Sequence, residues 1–387
     1  MLNCFERGRA APAWRGALAL VWAGLLAAVL AGPLQAQQAQ QVQQAQQAQQ
    51  AQQATPAAAL AKAVPAEQVE DDATARLTVQ EYDWFDARRN RLVPVRLYLP
   101  NPGHDAAPGI GAGGGADAGG VATRALARPV PLVVFSHGIG GSRRGYSYLG
   151  RHWASQGWAS LHLQHVGSDR GLWTGNPLAV ASRLQAAAQE SEATARVADL
   201  SFALDQLLAG PLAGRIDASR IVAAGHSYGA NTTLLAVGAR VERAGRLLDL
   251  RDPRLKAAIL ISAPPFYGEA SPERILGAIS VPSLHITATE DIIRVPGYFS
   301  PATDRVAVFE ATGGVAKTLA VFEGGSHSVF TDRAGTGGAL LNPQIKAATQ
   351  ALSMAFLGSV FDGDASALGL WAQRFAGLLA RTSIALP

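Results

Sequence analysis

The chain has 387 residues, of which 48% are hydrophobic and 16% are charged, so it can bury a large core and is not of the disordered class. Its formal net charge of +4 is too small for a typical nucleic-acid-binding protein, and the lysines and arginines form no stripe. The one cysteine, Cys4, precedes the first apolar run. The sequence therefore predicts no disulfide, no thiolate metal site and no cysteine nucleophile in an exported chain that has lost this segment.

The first 36 residues have the pattern of a secretory signal peptide. Three arginines between positions 7 and 15 precede the apolar run 16–32, and small residues ending at Ala36 follow it. We expect cleavage after Ala36 and export to the periplasm or the extracellular space, with no stable membrane insertion afterwards. An uncleaved membrane anchor is the alternative, because the apolar run is only slightly shorter than a spanning helix.

Two low-complexity stretches follow. Residues 37–75 are rich in Gln, Ala and Pro, and their QQA-like period of three matches neither a helix nor a strand, so they are interpreted as a disordered, flexible linker. A glycine-rich stretch, 101–128, separates two strand-like runs and is interpreted as a long surface loop within one domain. The expected catalytic domain is therefore 76–387.

Short apolar runs alternate with helical patterns from residue 76 onward. Strands are predicted over 77–82, 92–99, 130–135, 159–163, 220–224, 257–261, 283–287 and 319–322. Helices are predicted over 197–208, 232–241, 345–357 and 366–380. Continuous apolar runs are typical of strands that are buried on both faces. We therefore expect an α/β fold with a mostly parallel central sheet flanked by helices.

Ser227 lies in the motif Gly225-His-Ser-Tyr-Gly229, between a predicted buried strand and a helical pattern. A serine on such a sharp strand-to-helix turn projects beyond the sheet, and the two glycines allow the strand and the helix to cross closely. The N-terminus of the helix also directs N–H groups toward the site. The five-residue pattern alone also occurs by chance in a glycine-rich chain, but this context makes Ser227 the predicted nucleophile.

Residues 76–360 resemble the α/β-hydrolases, and within them the dienelactone-hydrolase-like group that includes platelet-activating-factor acetylhydrolases and related bacterial serine esterases. The resemblance rests on the loop Phe135-Ser-His-Gly-Ile-Gly-Gly141, the motif 225–229 and the helical segment 196–207. It implies an α/β-hydrolase fold with cap loops, and an activity on carboxylic esters. Ser227 departs from dienelactone hydrolases proper, which use a cysteine as the nucleophile.

The glycine-rich loop after the strand 130–135 predicts part of an oxyanion hole. Acyl transfer passes through a tetrahedral oxyanion, which needs two preorganised N–H donors. One donor is expected from Tyr228, the residue after the nucleophile, and the resemblance implies Ile139 for the other. The alternative is an ordinary glycine turn.

His327 is the predicted general base. The chain order in this fold is Ser, then Asp or Glu, then His, and only His285 and His327 follow the nucleophile. His285 lies within a predicted strand and precedes the acid, which leaves His327. The family pattern implies Asp291 as the acid that orients the base, with Glu290 as the neighbouring alternative and Asp304 as a more distant one.

Two long connections, 166–195 and 264–280, are expected to form the cap loops. His165 is predicted to contact substrate because it ends a strand. Trp173 is predicted to do so because an aromatic ring suits an apolar acyl group, with packing of the cap as its alternative. Neither His162 nor His165 has a cysteine or a carboxylate at ligand spacing on its element, so no metal and no other cofactor is expected.

The sequence thus predicts an exported serine hydrolase that cleaves small-molecule, lipid or polymer esters through an acyl-enzyme intermediate. No nucleic-acid partner is expected. An acyltransferase that uses the same three residues is one alternative. A non-catalytic envelope binding protein on the same scaffold is the other.

Overall fold

The computed structural model describes residues 77–101, 128–243, 245–266, 271–295, 298–336 and 338–385. The predicted signal peptide (1–36), the predicted linker (37–75) and positions 102–127 of the glycine-rich stretch lie outside the described residues. All described residues fall within one unit that spans Pro65–Pro387. No helix within these ranges is long and apolar enough to cross a membrane.

The described strands include nine that form one central sheet. The strands are, in chain order, β1 (Leu77–Asp86), β2 (Arg91–Pro100), β3 (Val130–Ser136), β4 (Ala159–Leu163), β5 (Ile216–His226), β6 (Arg240–Arg243), β7 (Arg246–Asp249), β8 (Leu255–Ile261), β9 (Ser283–Glu290), β10 (Ile293–Val295), β11 (Tyr298–Ser300), β12 (Lys317–Ser326) and β13 (Leu379–Ile384). The order in the sheet is β1-β2-β4-β3-β5-β8-β9-β12-β13. The six strands from β4 to β12 are parallel, and β1, β2 and β13 are antiparallel to their neighbours. Every strand predicted from the sequence is present.

The helices pack on both faces of the sheet. They are α1 (Ser147–Ser155), α2 (Pro177–Ala187), α3 (Glu190–Ala209), α4 (Tyr228–Ala236), α5 (Pro272–Leu276), α6 (Thr303–Ala311), α7 (Gly338–Phe361) and α8 (Ala367–Arg374). Side chains of β3 alternate between two cores, since Leu132 and Val134 pack with α3 and α4, whereas Val133 and Phe135 pack with α1 and α7. This period of two explains why the parallel strands are apolar throughout.

Two predicted helices differ from the observed elements. The helix expected over 232–241 begins earlier, at Tyr228, and ends before Gly238, whose φ of 117° suits glycine. The chain then forms the β6–β7 hairpin. The helix expected over 366–380 ends at Arg374, and the segment from Leu379 pairs with the edge strand β12. Pairing gives the edge backbone groups hydrogen-bond partners, an advantage that local periodicity does not reveal.

The parallel register brings the predicted functional segments to one edge of the sheet. Ser136, at the end of β3, lies opposite Gly225, near the end of β5. Asp291 follows β9 and His327 follows β12, which is the parallel neighbour of β9. Because the carboxyl ends of parallel strands meet at the same edge, all four connections open into the same region.

Candidate active site

Ser227 occupies a strained turn between β5 and α4. Its φ of 55° and ψ of −122° are unusual for a residue other than glycine. A Cβ on Gly225 would lie 2.2 Å from the carbonyl oxygen of Gly229, and a Cβ on Gly229 would lie 1.9 Å from that of Ser136. The interpretation of the two glycines as close-crossing positions is therefore confirmed. The N–H of Ser227 donates to the carbonyl oxygen of Ile261 at 2.9 Å, which fixes the turn on the sheet.

The structure brings Ser227, His327 and Asp291 into one hydrogen-bonded chain. His327 Nε2 lies 2.9 Å from Ser227 Oγ, and His327 Nδ1 lies 2.7 Å from Asp291 Oδ1. Asp291 is fully buried, whereas its neighbour Glu290 is exposed at the end of β9. Asp304 lies on α6, where its carboxylate accepts a hydrogen bond from the Ser300 hydroxyl. Of the three predicted acids, Asp291 is the one that contacts His327.

The surroundings of Asp291 keep its carboxylate charged. Burial alone would raise its pKa, but the hydrogen bond from His327 and the positive charge of Arg305 reverse that effect and lower the pKa below its usual value. Arg305 Nε is 3.7 Å from Asp291 Oδ1, and the Thr287 hydroxyl donates to Asp291 Oδ2 at 2.7 Å. An anionic Asp291 accepts the Nδ1 proton of His327, so Nε2 of the neutral ring is left as an acceptor facing Ser227.

His226 and Tyr146 connect the turn after β3 to the backbone of His327. His226 Nε2 lies 3.0 Å from the carbonyl oxygen of His327, and its Nδ1 lies 2.8 Å from the Tyr146 hydroxyl. That hydroxyl in turn accepts the N–H of Gly138 at 3.3 Å. Burial, together with the nearby His327, lowers the pKa of His226 to about 3, so the ring is neutral at neutral pH. His226 therefore supports the site from below the turn.

The loop after β3 lies against the nucleophile. A Cβ on Gly138 would be 3.2 Å from the Cβ of Ser227, so the two backbones are in close contact. Ile139 and Tyr228 line the same cleft as Ser227. No hydrogen bond within the described ranges uses the N–H of Ile139 or of Tyr228. An oxyanion hole needs two N–H groups that have no other acceptor, so Ile139 and Tyr228 stay the predicted donors.

Comparison with known families adds an independent observation. A family model described as platelet-activating factor acetylhydrolase, isoform II, matches residues 122–171. This segment includes β3, the loop that carries Ile139, helix α1 and β4. The match agrees with the largely parallel sheet and its flanking helices. The chain is an α/β-hydrolase-like protein. The predicted fold class is confirmed. A search of curated proteins found no match to the chain.

A large cleft opens beside Ser227 in this α/β-hydrolase-like protein. Its volume is about 940 Å³, near the upper end of the range for pockets that enclose drug-sized ligands. Its walls come from α2, the start of α3, α4, the β6–β7 hairpin and the segment that follows β8. Most of the lining side chains are apolar, and they include Val180, Leu184, Leu235, Val241, Leu248 and Phe266. The cleft can therefore enclose a large apolar group attached to a carbonyl held at Ser227.

The prediction that His165 contacts substrate is wrong. The ring is fully buried, and it lies 3.1 Å from Asp199 and 3.0 Å from the Ser136 hydroxyl. Its N–H group on the main chain donates to His137 Nε2 at 3.1 Å. Burial lowers the pKa of His165 to about 3. The position at the end of a strand does not place this ring in the cleft. Helix α3 covers it, and the ring joins a polar network with Asp199 and Ser136.

Trp173 lies outside the cleft wall, on the loop side of the site. Its side chain is 51% exposed, and its indole N–H donates to the carbonyl oxygen of Gly140 at 3.3 Å. Gly140 has a φ of 70°, and a Cβ there would lie 2.1 Å from the indole nitrogen. The ring therefore packs on the loop that carries Ile139. Its contact with substrate stays a prediction.

The two histidines considered as metal ligands, His162 and His165, contact different partners. His162 lies 3.2 Å from the carbonyl oxygen of Gly145 and 3.0 Å from the Ser160 hydroxyl, while His165 faces Asp199. Across the described part of the chain, no group of three or more His, Cys, Asp or Glu residues is arranged to hold a metal ion.

The sequence-based interpretation did not single out two buried arginines next to the site, Arg196 and Arg305. Arg196 lies four residues before Leu200, and both side chains are buried on the same face of α3. A charged residue in line with the apolar face was the available signal, since such residues are almost never fully buried without a reason.

Proposed function

We propose that the protein is a serine hydrolase of carboxylic esters, with Ser227 as the nucleophile and His327 as the general base. The observation that carries this proposal is the hydrogen-bonded chain from Ser227 through His327 to Asp291, at a strained strand-to-helix turn. The family match supports ester hydrolysis at a coarse level. Asp291 orients the imidazole and stabilises the imidazolium that forms during the reaction.

The proposed reaction has two stages. The Ser227 oxygen attacks the ester carbonyl carbon while His327 Nε2 accepts the serine proton. The carbonyl oxygen becomes an oxyanion that accepts hydrogen bonds from the N–H groups of Ile139 and Tyr228. Collapse releases the alcohol, which takes the proton from His327, and leaves an acyl-serine. Water then attacks the acyl carbon while it gives a proton to His327. Collapse of this second tetrahedral intermediate frees the acid, and His327 returns the proton to the Ser227 oxygen.

The cleft favours esters with a large apolar group. Aliphatic side chains such as Val180, Leu235 and Leu248 dominate its walls. A charged group placed among these aliphatic side chains would lose hydration that they cannot replace, which is costly, although Glu190 and Arg243 also line the cleft. An acetyl group would leave most of the 940 Å³ unfilled by substrate. We therefore propose that esters of longer acids are better substrates than acetate esters.

A chain-length series of nitrophenyl esters tests this substrate class. We expect kcat/KM to rise about two- to fourfold per methylene until the cleft is filled, because each buried methylene contributes roughly 0.8 kcal/mol. Ala181→Trp, which narrows the cleft from α2, is expected to reduce kcat/KM for long esters about tenfold and to leave the acetate ester unaffected. Ala186→Trp, on an exposed position of α2 outside the cleft, is the matched control. A flat series that Ala181→Trp does not change would contradict the substrate class.

We also propose that the protein is exported, with cleavage after Ala36. The support is the basic, apolar and small-residue pattern of the first 36 residues. N-terminal sequencing of the exported protein tests this proposal. A first residue near Gln37 is expected, whereas an exported chain that still begins at Met1 would contradict cleavage.

A further inference from the structure

Arg196 is a fully buried cation on α3 that lies beside the candidate active site. The hydrogen bonds from its guanidinium go to neutral oxygens, namely those of Thr232, Ser168 and His137. Burial lowers its pKa to about 10, so the group is still protonated at neutral pH. A buried charge with neutral partners costs free energy. The nearby carboxylates of Glu192 and Asp199 offset part of this cost.

One set of contacts holds the loop that carries Ile139. The Arg196 Nη2 group donates to the carbonyl oxygen of His137, two residues before Ile139. The Nη1 group donates to Ser168 Oγ at 2.8 Å, and the carbonyl oxygen of Ser168 accepts the N–H of Gly140 at 2.8 Å. Arg196 thus contacts this loop directly on one side of Ile139 and through Ser168 on the other side.

A second set of contacts holds the start of α4, which carries the other expected oxyanion donor. The Arg196 Nε group donates to Thr232 Oγ1 at 2.8 Å, and that hydroxyl donates to the carbonyl oxygen of Tyr228 at 3.1 Å. The guanidinium carbon also lies 4.5 Å from the centre of the Tyr228 ring, which is a cation–π distance. The planar guanidinium therefore joins the two segments that supply the N–H groups.

The Glu192 carboxylate orients the Ser168 hydroxyl that accepts from Arg196. Ser168 Oγ accepts from Arg196 and donates to Glu192 Oε1 at 2.7 Å, and Arg91 lies 3.3 Å from the other oxygen of Glu192. The donor direction at Ser168 is thereby fixed. A lysine would keep the charge, but its single ammonium group cannot reach the three acceptors in the geometry of a planar fork.

We propose that Arg196 is a positioning residue that fixes the N–H groups of Ile139 and Tyr228 relative to each other. This inference rests on the proposed function, because the N–H groups matter only if an oxyanion forms at Ser227. An oxyanion hole works when its donors lie about 2.7–3.1 Å from the position that the oxyanion will occupy. Loss of the fork lets the two segments shift independently, while the nucleophile and the base keep their own contacts.

Arg196→Met and Arg196→Lys test the proposal in the full-length protein. We expect Arg196→Met to lower kcat about 100-fold with KM changed by no more than about twofold, because the lost interaction acts in the transition state. Arg196→Lys is expected to recover less than about tenfold of this loss. The inhibition constant of an alkyl trifluoromethyl ketone, which forms a tetrahedral adduct with the serine, is expected to rise in parallel with the loss in kcat. That of the matched alkyl methyl carbinol, which forms no adduct, is expected to stay constant.

Arg254→Met is the matched control. Arg254 directly precedes β8, and it also contacts α3, but closer to the C-terminal end of the helix than Arg196. Its guanidinium contacts the Ser201 carbonyl oxygen at 3.1 Å and the Asp205 carboxylate at 2.6 Å. We expect kcat to be unchanged in this variant. Circular dichroism and thermal melting establish that each variant is folded. If Arg196→Met does not fold, Thr232→Val is used instead, because valine has a similar shape to threonine but lacks the hydroxyl that accepts from Arg196. This variant is expected to lower kcat three- to tenfold with the same parallel change in ketone affinity.

The proposal is overturned if folded Arg196→Met keeps kcat within about threefold of the natural protein. It is also overturned if kcat falls while the affinity for the trifluoromethyl ketone is unchanged, since the loss would then arise outside the oxyanion hole. A natural protein that neither hydrolyses esters nor forms the ketone adduct would instead overturn the proposed function, and this inference with it.

Discussion

His327 is the residue on which the proposed chemistry depends, because its two ring nitrogens face Ser227 and Asp291. We expect Ser227→Ala and His327→Ala each to remove nearly all ester hydrolysis and to leave the fold intact. Residues that act as one unit lose their effect together, so the double variant is expected to be no worse than either single variant by more than a small factor. Initial rates with a nitrophenyl ester measure this. Clearly multiplicative losses in the double variant would contradict the claim that Ser227 and His327 act as one unit.

The acid can be assigned by comparing two neighbouring carboxylates. Asp291 is buried and contacts His327, whereas Glu290 is exposed. We expect Asp291→Asn to lower kcat by about 10³–10⁴, because the amide no longer selects the productive tautomer of His327. Glu290→Gln, the matched charge-neutralising control, is expected to change kcat by less than about threefold. The reverse ranking of the two variants would contradict the assignment.

At the residue scale, the sequence identified the side chains whose roles depend on local motifs. Ser227 was recognisable from the turn motif, and His327 from its position after the last predicted parallel strand. Arg196 and Tyr146 could not be assigned in this way, because their partners lie far away in the chain: Arg196 contacts His137 and Tyr146 contacts His226. His165 was misassigned because burial by α3 depends on packing between distant segments.

At the scale of elements, the crossing of β3, β5 and α4 depends on a glycine. A Cβ at Gly229 would meet the backbone of Ser136 at 1.9 Å, and backbone cannot move aside cheaply. We expect Gly229→Ala to reduce the free energy of unfolding by about 1–3 kcal/mol and to displace the nucleophile. Gly214→Ala is the control, since a Cβ there meets no atom within 4 Å. Urea unfolding and esterase rates measure both effects, and equal stability of the two variants would contradict the crossing geometry.

Elements with a complete local signal were predictable, and those that need a distant partner were not. The parallel strands are buried on both faces, so their apolar runs stand out in the sequence. The edge strand β13 and the β6–β7 hairpin carry mixed, partly exposed side chains. β13 is fixed by pairing with β12, a partner more than fifty residues away in the sequence, and apolar periodicity does not report such pairing.

At the scale of the whole molecule, buried histidines predict sensitivity to acid. Burial lowers the pKa of His162, His165, His226 and His285 to about 3, and that of His137 well below its usual value. In the unfolded chain the pKa of the same rings is about 6.5. Between these values the unfolded state binds more protons than the folded state. Stability is therefore fully present above about pH 7 and is lost as the pH falls, by about 1.4 kcal/mol per pH unit for each ring.

Urea unfolding at pH 7.5 and at pH 5 measures this effect. We expect the free energy of unfolding to decrease by about 2 kcal/mol for each such ring between the two conditions. His285→Asn removes one such ring, which lies away from the candidate site on β9, and is expected to reduce the pH dependence relative to the natural protein. An unfolding midpoint that does not change between pH 7.5 and pH 5 would contradict the account of the buried rings.

The most direct test of the central claim is the site and rate of fluorophosphonate labelling, followed by mass spectrometry of the intact and digested protein. A fluorophosphonate reacts with a serine only when a neighbouring base and oxyanion donors activate it. We predict one adduct, on Ser227, with no labelling of Ser227→Ala and labelling slowed by at least about 10³-fold in His327→Ala. An adduct on another residue, or equal labelling rates with and without His327, would contradict the proposal that this chain of side chains activates Ser227.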